Sequence, residues 1–123
     1  MRAMEKDKVR LETTEQIIFV NRVRAFHPQI MLIAIPNGGK RDIRTAKRLK
    51  DEGVLAGVPD MFFPHAADGW HGLFIEMKRV KGGVISPQQK AIAKLLKSNG
   101  YKVEFAYGAD DAYSKFKFYF NIN

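Results

Sequence analysis

The sequence predicts an α/β fold, a sandwich in which helices flank a mixed central β-sheet. Three observations predict it. The 123 residues suit one domain, and dividing them would leave neither half enough core. Helix-like and strand-like segments follow one another in the order α-β-α-β-β-α-β-α. The run Leu73-Phe74-Ile75-Glu76-Met77 is apolar on both of its faces, as a central strand is.

The first helix is expected from about Thr14 to Phe26. Thr13 and Gln16 have capping-box spacing. Gln16, Phe19, Val20, Val23 and Phe26 recur with a helical period, and Pro28 stops it. Ile30 to Ile35 is a continuous apolar run that reads as a buried strand. Asn37-Gly38-Gly39 reads as a loop. A second helix is expected from Asp42 to Glu52, with Ile43, Ala46 and Leu49 inward and Gly53 ending it. Pro59 to Phe63 reads as a short strand and Leu73 to Arg79 as another. Ser86-Pro87-Gln88-Gln89 starts a helix with Ser at the N-cap, Pro at N1 and Gln at N3. That helix ends near Asn99-Gly100. Tyr101, Val103, Phe105 and Tyr107 alternate along the next strand. A last helix, Ala109 to Phe120, carries Ala112, Phe116, Tyr119 and Phe120. The strands at Leu73 and Tyr101 bracket a helix and should be parallel. Those at Pro59 and Leu73 share a short loop and should be antiparallel.

Composition narrows the function. Hydrophobic residues make up 46% of the chain, enough for a packed globule. With no cysteine, disulfides, thiolate zinc sites and cysteine nucleophiles are excluded. No apolar run reaches bilayer length, and the N-terminus lacks the apolar region of a secretory signal. A soluble cytoplasmic protein is expected. Lys and Arg number 21 against 13 acids, a net charge of +8, which favours a polyanionic partner. Charge alone does not separate DNA, RNA and an anionic membrane.

One constellation carries chemistry. Gly57-Val58-Pro59-Asp60 sets an aspartate at the start of a strand, and Glu76-Met77-Lys78 lies in the next. Side chains alternate along a strand, so Glu76 and Lys78 share a face. Adjacent strands can then bring Asp60 and Glu76 together. Two carboxylates that close repel unless a cation lies between them. Their hard oxygens suit Mg²⁺ or Mn²⁺, which activates water and neutralises phosphate charge. The Lys78 ammonium can stabilise developing negative charge on the same face. The plain alternative is an exposed cross-strand charge pair. Burial of a carboxylate in a central strand is costly without a partner, which favours a site.

The runs IPNGGKRDIRTAKRLKDEGVLAGVPDMFF, HGLFIEMKRVKGG, SPQQ and GYKVEFAYGADDA closely resemble the VRR-NUC (virus-type replication-repair nuclease) domain of the PD-(D/E)xK superfamily. The resemblance spans about Glu15 to Tyr119 and leaves the first dozen residues as an N-terminal extension. It implies a restriction-endonuclease-like three-layer fold and Mg²⁺- or Mn²⁺-dependent cleavage of DNA. It also implies a phage or bacterial stand-alone enzyme, a homodimer acting on branched DNA such as four-way (Holliday) junctions in repair or replication. Residue by residue, Asp60 and Glu76 match the metal-binding acids. The Met77 carbonyl would be a third contact, Lys78 matches the catalytic lysine and Gln89 the glutamine of the following helix. Glu15 matches the glutamate of the first helix, a ligand of a second metal or of metal-bound water.

Supporting residues have plainer readings beside these. Gln89 heads the stripe Ile92, Ala93 and Leu96 and either meets the site or completes the capping box of Ser86. Glu15 is otherwise an ordinary first-turn acid. Lys40, Arg41, Arg44, Lys47, Arg48 and Lys50 crowd one segment, with Arg41, Arg44 and Arg48 on one face. They read as a phosphate-tracking helix assisted by the backbone of Asn37 and Gly38, or as a solvated face. Arg79 and Lys81 extend the positive surface. His65 and His71 lack the spacing of a zinc site. Trp70 either packs or touches DNA. The aromatics Phe116, Phe118, Tyr119 and Phe120 exceed one helix face, so they either form part of a dimer seam or close the core. Two other functions compete. A non-catalytic DNA-binding module has no reason to hold two carboxylates near phosphate. A sequence-specific restriction enzyme needs extra segments for base contacts.

Overall fold

The structure is a computed structural model, and it describes residues 9–36 and 42–123. Eight elements follow in chain order: α1 (Glu12–Phe26), β1 (Ile33–Ala34), α2 (Ile43–Asp51), β2 (Met61–Phe63), β3 (Gly72–Lys78), α3 (Pro87–Ser98), β4 (Tyr101–Tyr107) and α4 (Ala109–Phe120). The order of helices and strands is the one the sequence predicts.

The strands form one four-stranded mixed sheet in the order β1-β2-β3-β4. β1 and β2 are antiparallel, as are β2 and β3, and β3 and β4 are parallel. The two predicted pairings therefore hold. Every residue of β3 is buried, which fits its place between two strands and two layers. On one face Leu73, Ile75 and Met77 join Phe19 and Val23 of α1 and Ala112 and Phe116 of α4 in the main core. On the other, Phe74 packs with Ala93 of α3 and Val103 of β4. β3 thus alternates its side chains between two helical layers, α1 and α4 on one side and α3 on the other.

Local chemistry sets most boundaries. Ser86 Oγ accepts from the Gln89 N–H, and Gln89 Oε1 accepts from the Ser86 N–H, closing the expected capping box with Pro87 behind the cap. Asp42 caps α2 by accepting from the Thr45 N–H at 2.7 Å. Its far end closes by bonds from the Gly53 N–H to the Lys50 carbonyl and from the Val54 N–H to the Leu49 carbonyl, the Schellman pattern with Gly just past the cap.

Four expectations are revised. α1 begins at Glu12 after Leu11 with no side-chain cap, so the Thr13–Gln16 capping box does not form. Phe26, expected inward, is 71% exposed because the helix ends beside it. The Ile30–Ile35 run is not a buried strand: only Ile33 and Ala34 pair, at the sheet edge and exposed. No residue of α2 is buried, and Ile43 is 89% exposed. Among the described residues α2 packs on no other helix or strand. The Asn37-Gly38-Gly39 loop lies outside the described residues.

Candidate active site

The site forms where β2 begins, β3 ends and α3 starts. β2 pairs with β3 with Met61 opposite Ile75, and one step back along that register sets Asp60 opposite Glu76. Asp60 Oδ2 accepts from the Met77 N–H at 2.8 Å. Asp60 thereby takes the place in the ladder that a strand carbonyl would occupy, which fixes its carboxylate against β3. The Asp60 carbonyl accepts from the Ile35 N–H at 2.7 Å and extends the edge pairing. Gly57 has φ +93° and lies so close to the α3 start that a Cβ would come within 3.0 Å of Gln88 backbone atoms. Both the backbone conformation and the space call for glycine there.

Glu76 and Lys78 leave β3 on the α3 side, and Gln89 joins them. Gln89 Nε2 donates to Glu76 Oε2 at 2.9 Å, and Lys78 Nζ donates to Gln89 Oε1 at 2.9 Å. Lys78 Nζ also donates to the Val84 carbonyl at 2.7 Å and lies 3.8 Å from Glu76 Oε2. Gln89 therefore serves the site and the capping box together. Glu76 and Lys78 are both buried. The ammonium is held by named acceptors rather than left to swing.

Electrostatics mark the same place. Burial pushes the Glu76 carboxyl up to about 8, reinforced by the Asp60 charge and opposed by Lys78. Burial also raises Asp60, against the favourable Met77 N–H. Two neighbouring carboxyls both raised by burial are short of positive charge. Hard carboxylate oxygens beside a backbone carbonyl are donors that suit Mg²⁺ or Mn²⁺. Among the described residues no group of three or more His, Asp or Glu side chains converges. The two acids that the strand register brings together here are Asp60 and Glu76.

Glu15 is placed elsewhere. Its Oε1 accepts from the Ala109 N–H at 2.9 Å, at the start of α4, and Arg10 donates to both of its oxygens. Burial would raise this carboxyl, but Arg10 and the Ala109 N–H outweigh it and hold it below the usual carboxylate range. Glu12, one turn earlier, is the helix acid whose negative charge bears on both Asp60 and Glu76. Glu15 lies on the buried stripe of α1 with Phe19 and Val23 and Glu12 is only half-buried, so spacing alone did not say which acid bears on the two carboxyls. The Val84 carbonyl also had no sequence signal, since any residue supplies a carbonyl. Only the Gly82-Gly83 break hinted that the chain returns over Lys78. A Cβ on Gly83 would come within 2.9 Å of Lys78 Cβ.

Of the expected DNA-contacting residues, Arg44 and Arg48 lie on α2, and Arg79 and Lys81 on the turn between β3 and α3. Asn37, Gly38, Lys40 and Arg41 lie outside the described residues. Arg48 pairs with Glu52 at 3.1 Å and Lys47 with Asp51 at 2.8 Å, so part of the α2 charge is answered within the helix. His65 is structural: its Nε2 accepts from the Met31 N–H and its carbonyl from the Tyr119 hydroxyl. The Lys102 ammonium lies over the Trp70 ring at 5.5 Å. Among the described residues no helix is long and apolar enough to cross a membrane.

A mixed sheet that presents two apposed acids and an anchored lysine at one edge of its central strand defines a nuclease-type domain. Residues 10–110 match the VRR-NUC domain family, and the chain belongs to that family. A solved structure described as a "VRR_NUC domain protein" superposes with a TM-score of 0.80 at 25% identity, covering 94% of this chain and 93% of that one. No curated protein matches.

Proposed function

We propose that this chain is an Mg²⁺- or Mn²⁺-dependent DNA endonuclease that hydrolyses phosphodiester bonds at Asp60, Glu76 and Lys78. The observation that carries this is the Gln89 bridge: one amide ties the Glu76 carboxylate to the Lys78 ammonium beside a second carboxylate, Asp60. Asp60, Glu76 and the Met77 carbonyl would hold the ion, which supplies Lewis acidity and an activated water when bound. Asp60 is kept in place by the Met77 N–H. Lys78 is aimed by Val84 and Gln89 so that its charge meets negative charge developing on the phosphate. Glu12 is the α1 acid whose charge raises both carboxyls, and we assign it to the surroundings of the metal site and not to its ligands.

The net charge of +8 supports a nucleic-acid substrate. Selectivity for branched DNA such as four-way junctions, homodimerisation and a cytoplasmic role in phage or bacterial DNA repair rest on the family resemblance. Phe118, 71% exposed on α4, is a candidate for the dimer seam.

Cleavage of plasmid, linear duplex and four-way junction with Mg²⁺, Mn²⁺ or EDTA tests the assignment, beside Lys78→Ala. Cutting is expected with either ion and not with EDTA. The variant is expected to bind DNA normally but cut at least about 100-fold more slowly. Undiminished cutting by the variant removes Lys78 from the mechanism, and equal cutting of all three substrates removes the preference for junctions.

A further inference from the structure

We infer that the outer flank of α3 is a second DNA-contacting surface, a lysine stripe that tracks the phosphates of one strand leading away from the catalytic centre. It rests on the nuclease assignment and deepens it. Lys90, Lys94 and Lys97 are all exposed, and α3 contains no acid to neutralise them. None of the three makes an ion pair or side-chain hydrogen bond among the described residues, in contrast to Lys47 and Arg48 of α2. At 3.6 residues per turn they fall within roughly 60° of one another around the helix. The inward side is taken by Ala93, with Leu96 partly buried beside it.

Dimensions and placement both fit a nucleic-acid backbone. Seven residues of helix span about 10 Å, and one strand presents a phosphate about every 3.4 Å along the duplex axis. The stripe therefore covers about three phosphate steps of axial rise, and its three ammoniums can each meet one phosphate. It starts one residue beyond Gln89, which touches both Lys78 and Glu76. Arg79 and Lys81 lie on the turn that leads into the same helix. A strand cut beside Lys78 would thus run on along Lys90, Lys94 and Lys97 without crossing an acidic side chain of α3. Contacts of this kind position DNA and carry no base preference.

The experiment removes the stripe and, separately, the same charge from the opposite layer. One variant carries Lys90→Gln, Lys94→Gln and Lys97→Gln. The control carries Arg22→Gln, Arg24→Gln and Lys117→Gln on α1 and α4. Thermal melts establish that both fold. Binding to a fluorescent four-way junction and to a linear duplex is followed in EDTA from about 50 to 200 mM salt. The stripe variant is expected to lose about tenfold or more in affinity on both DNAs. Its log–log salt slope should shrink by about 2.7, at 0.9 per phosphate. Its turnover at saturating DNA with Mn²⁺ should stay within about twofold of the parent, because phosphate contacts remote from the reacting bond give uniform binding. The control should keep most of the parent affinity. Parent-like affinity and slope in the stripe variant overturn the inference, as does an equal loss in the control, which reduces the effect to net charge. If the parent cuts DNA and the stripe variant binds like it, the surface fails and the nuclease stands. If the parent cuts nothing but the stripe variant loses affinity, the nuclease assignment fails and the surface stands as a binding face.

Discussion

Gln89 is one amide serving three groups: it accepts from Lys78 Nζ and the Ser86 N–H and donates to Glu76 Oε2. Every polar atom of the side chain is thereby used, so its orientation is fixed by partners of opposite demand. Removing it frees the ammonium from one of two acceptors and takes from Glu76 its side-chain donor, leaving the Asp60 backbone N–H. Gln89→Ala is expected to cost about 10–100-fold in metal-dependent turnover, with DNA binding in EDTA unchanged. Ser86→Ala separates this from helix capping. It removes the other half of the box, costs about 1 kcal/mol of stability and should keep the turnover; equal loss in both variants would make Gln89 a cap only. The two acids of α1 divide in the same manner. Glu15 is 1% exposed and holds Ala109 and Arg10, so Glu15→Ala should lower stability by about 1–3 kcal/mol. Glu12→Gln touches no such bond among the described residues. It should leave the melting temperature near the parent value and weaken metal-dependent cleavage. The reverse pattern would return Glu15 to the site.

At the scale of elements, α2 shows how a helix is specified locally without being placed globally. Asp42 starts it and Gly53 stops it, and its ion pairs Lys47–Asp51 and Arg48–Glu52 run along its own surface. These signals are all short-range, and they were legible in the sequence. The apolar period of Ile43, Ala46 and Leu49 was legible too, but a period states that one face is apolar and not that anything covers it. With Ile43 at 89% exposure, Ile43→Lys is expected to change unfolding free energy by less than about 0.5 kcal/mol, read by urea titration. A loss of several times that would mean that Ile43 is covered in solution. The same limit explains β1: six apolar residues in a row indicate burial, yet an edge strand pairs on one side only, and here two residues pair. By contrast α3, β3 and β4 were readable because local and global demands agree. Ser86-Pro87 caps the helix, the double-faced apolar run marks the central strand, and the βαβ connection requires them to be parallel. The pairing of Asp60 with Glu76 followed from that topology. The choice between Glu12 and Glu15 did not, because it depends on the rotation of α1 about its axis.

The whole molecule is a sheet closed between two helical layers, and it keeps its two apposed acids inside that closure. Burial and the Asp60 charge raise Glu76 from 4.5 to about 8, so between those values the folded chain holds a proton that the unfolded chain has released. Stability changes with pH as the unfolded minus the folded proton count. Here that difference is negative, so this group lowers stability as pH climbs from about 4.5 to about 8. Above that window the penalty is constant. A divalent ion competes with the same proton, so its binding should release a proton and strengthen as pH rises through the window. Thermal melts at about pH 5, 7 and 9, with EDTA and with Mn²⁺, read both effects. The difference between the parent and Glu76→Gln isolates this carboxyl from the histidines and from the +8 background charge. With EDTA the parent should lose ground to the variant from pH 5 to 9. With Mn²⁺ the parent should gain most at the highest pH, while the variant should gain little at any pH. A parent that instead gains on the variant as pH rises in EDTA would show a carboxyl already satisfied by Lys78 and Gln89, with no unmet need for a cation.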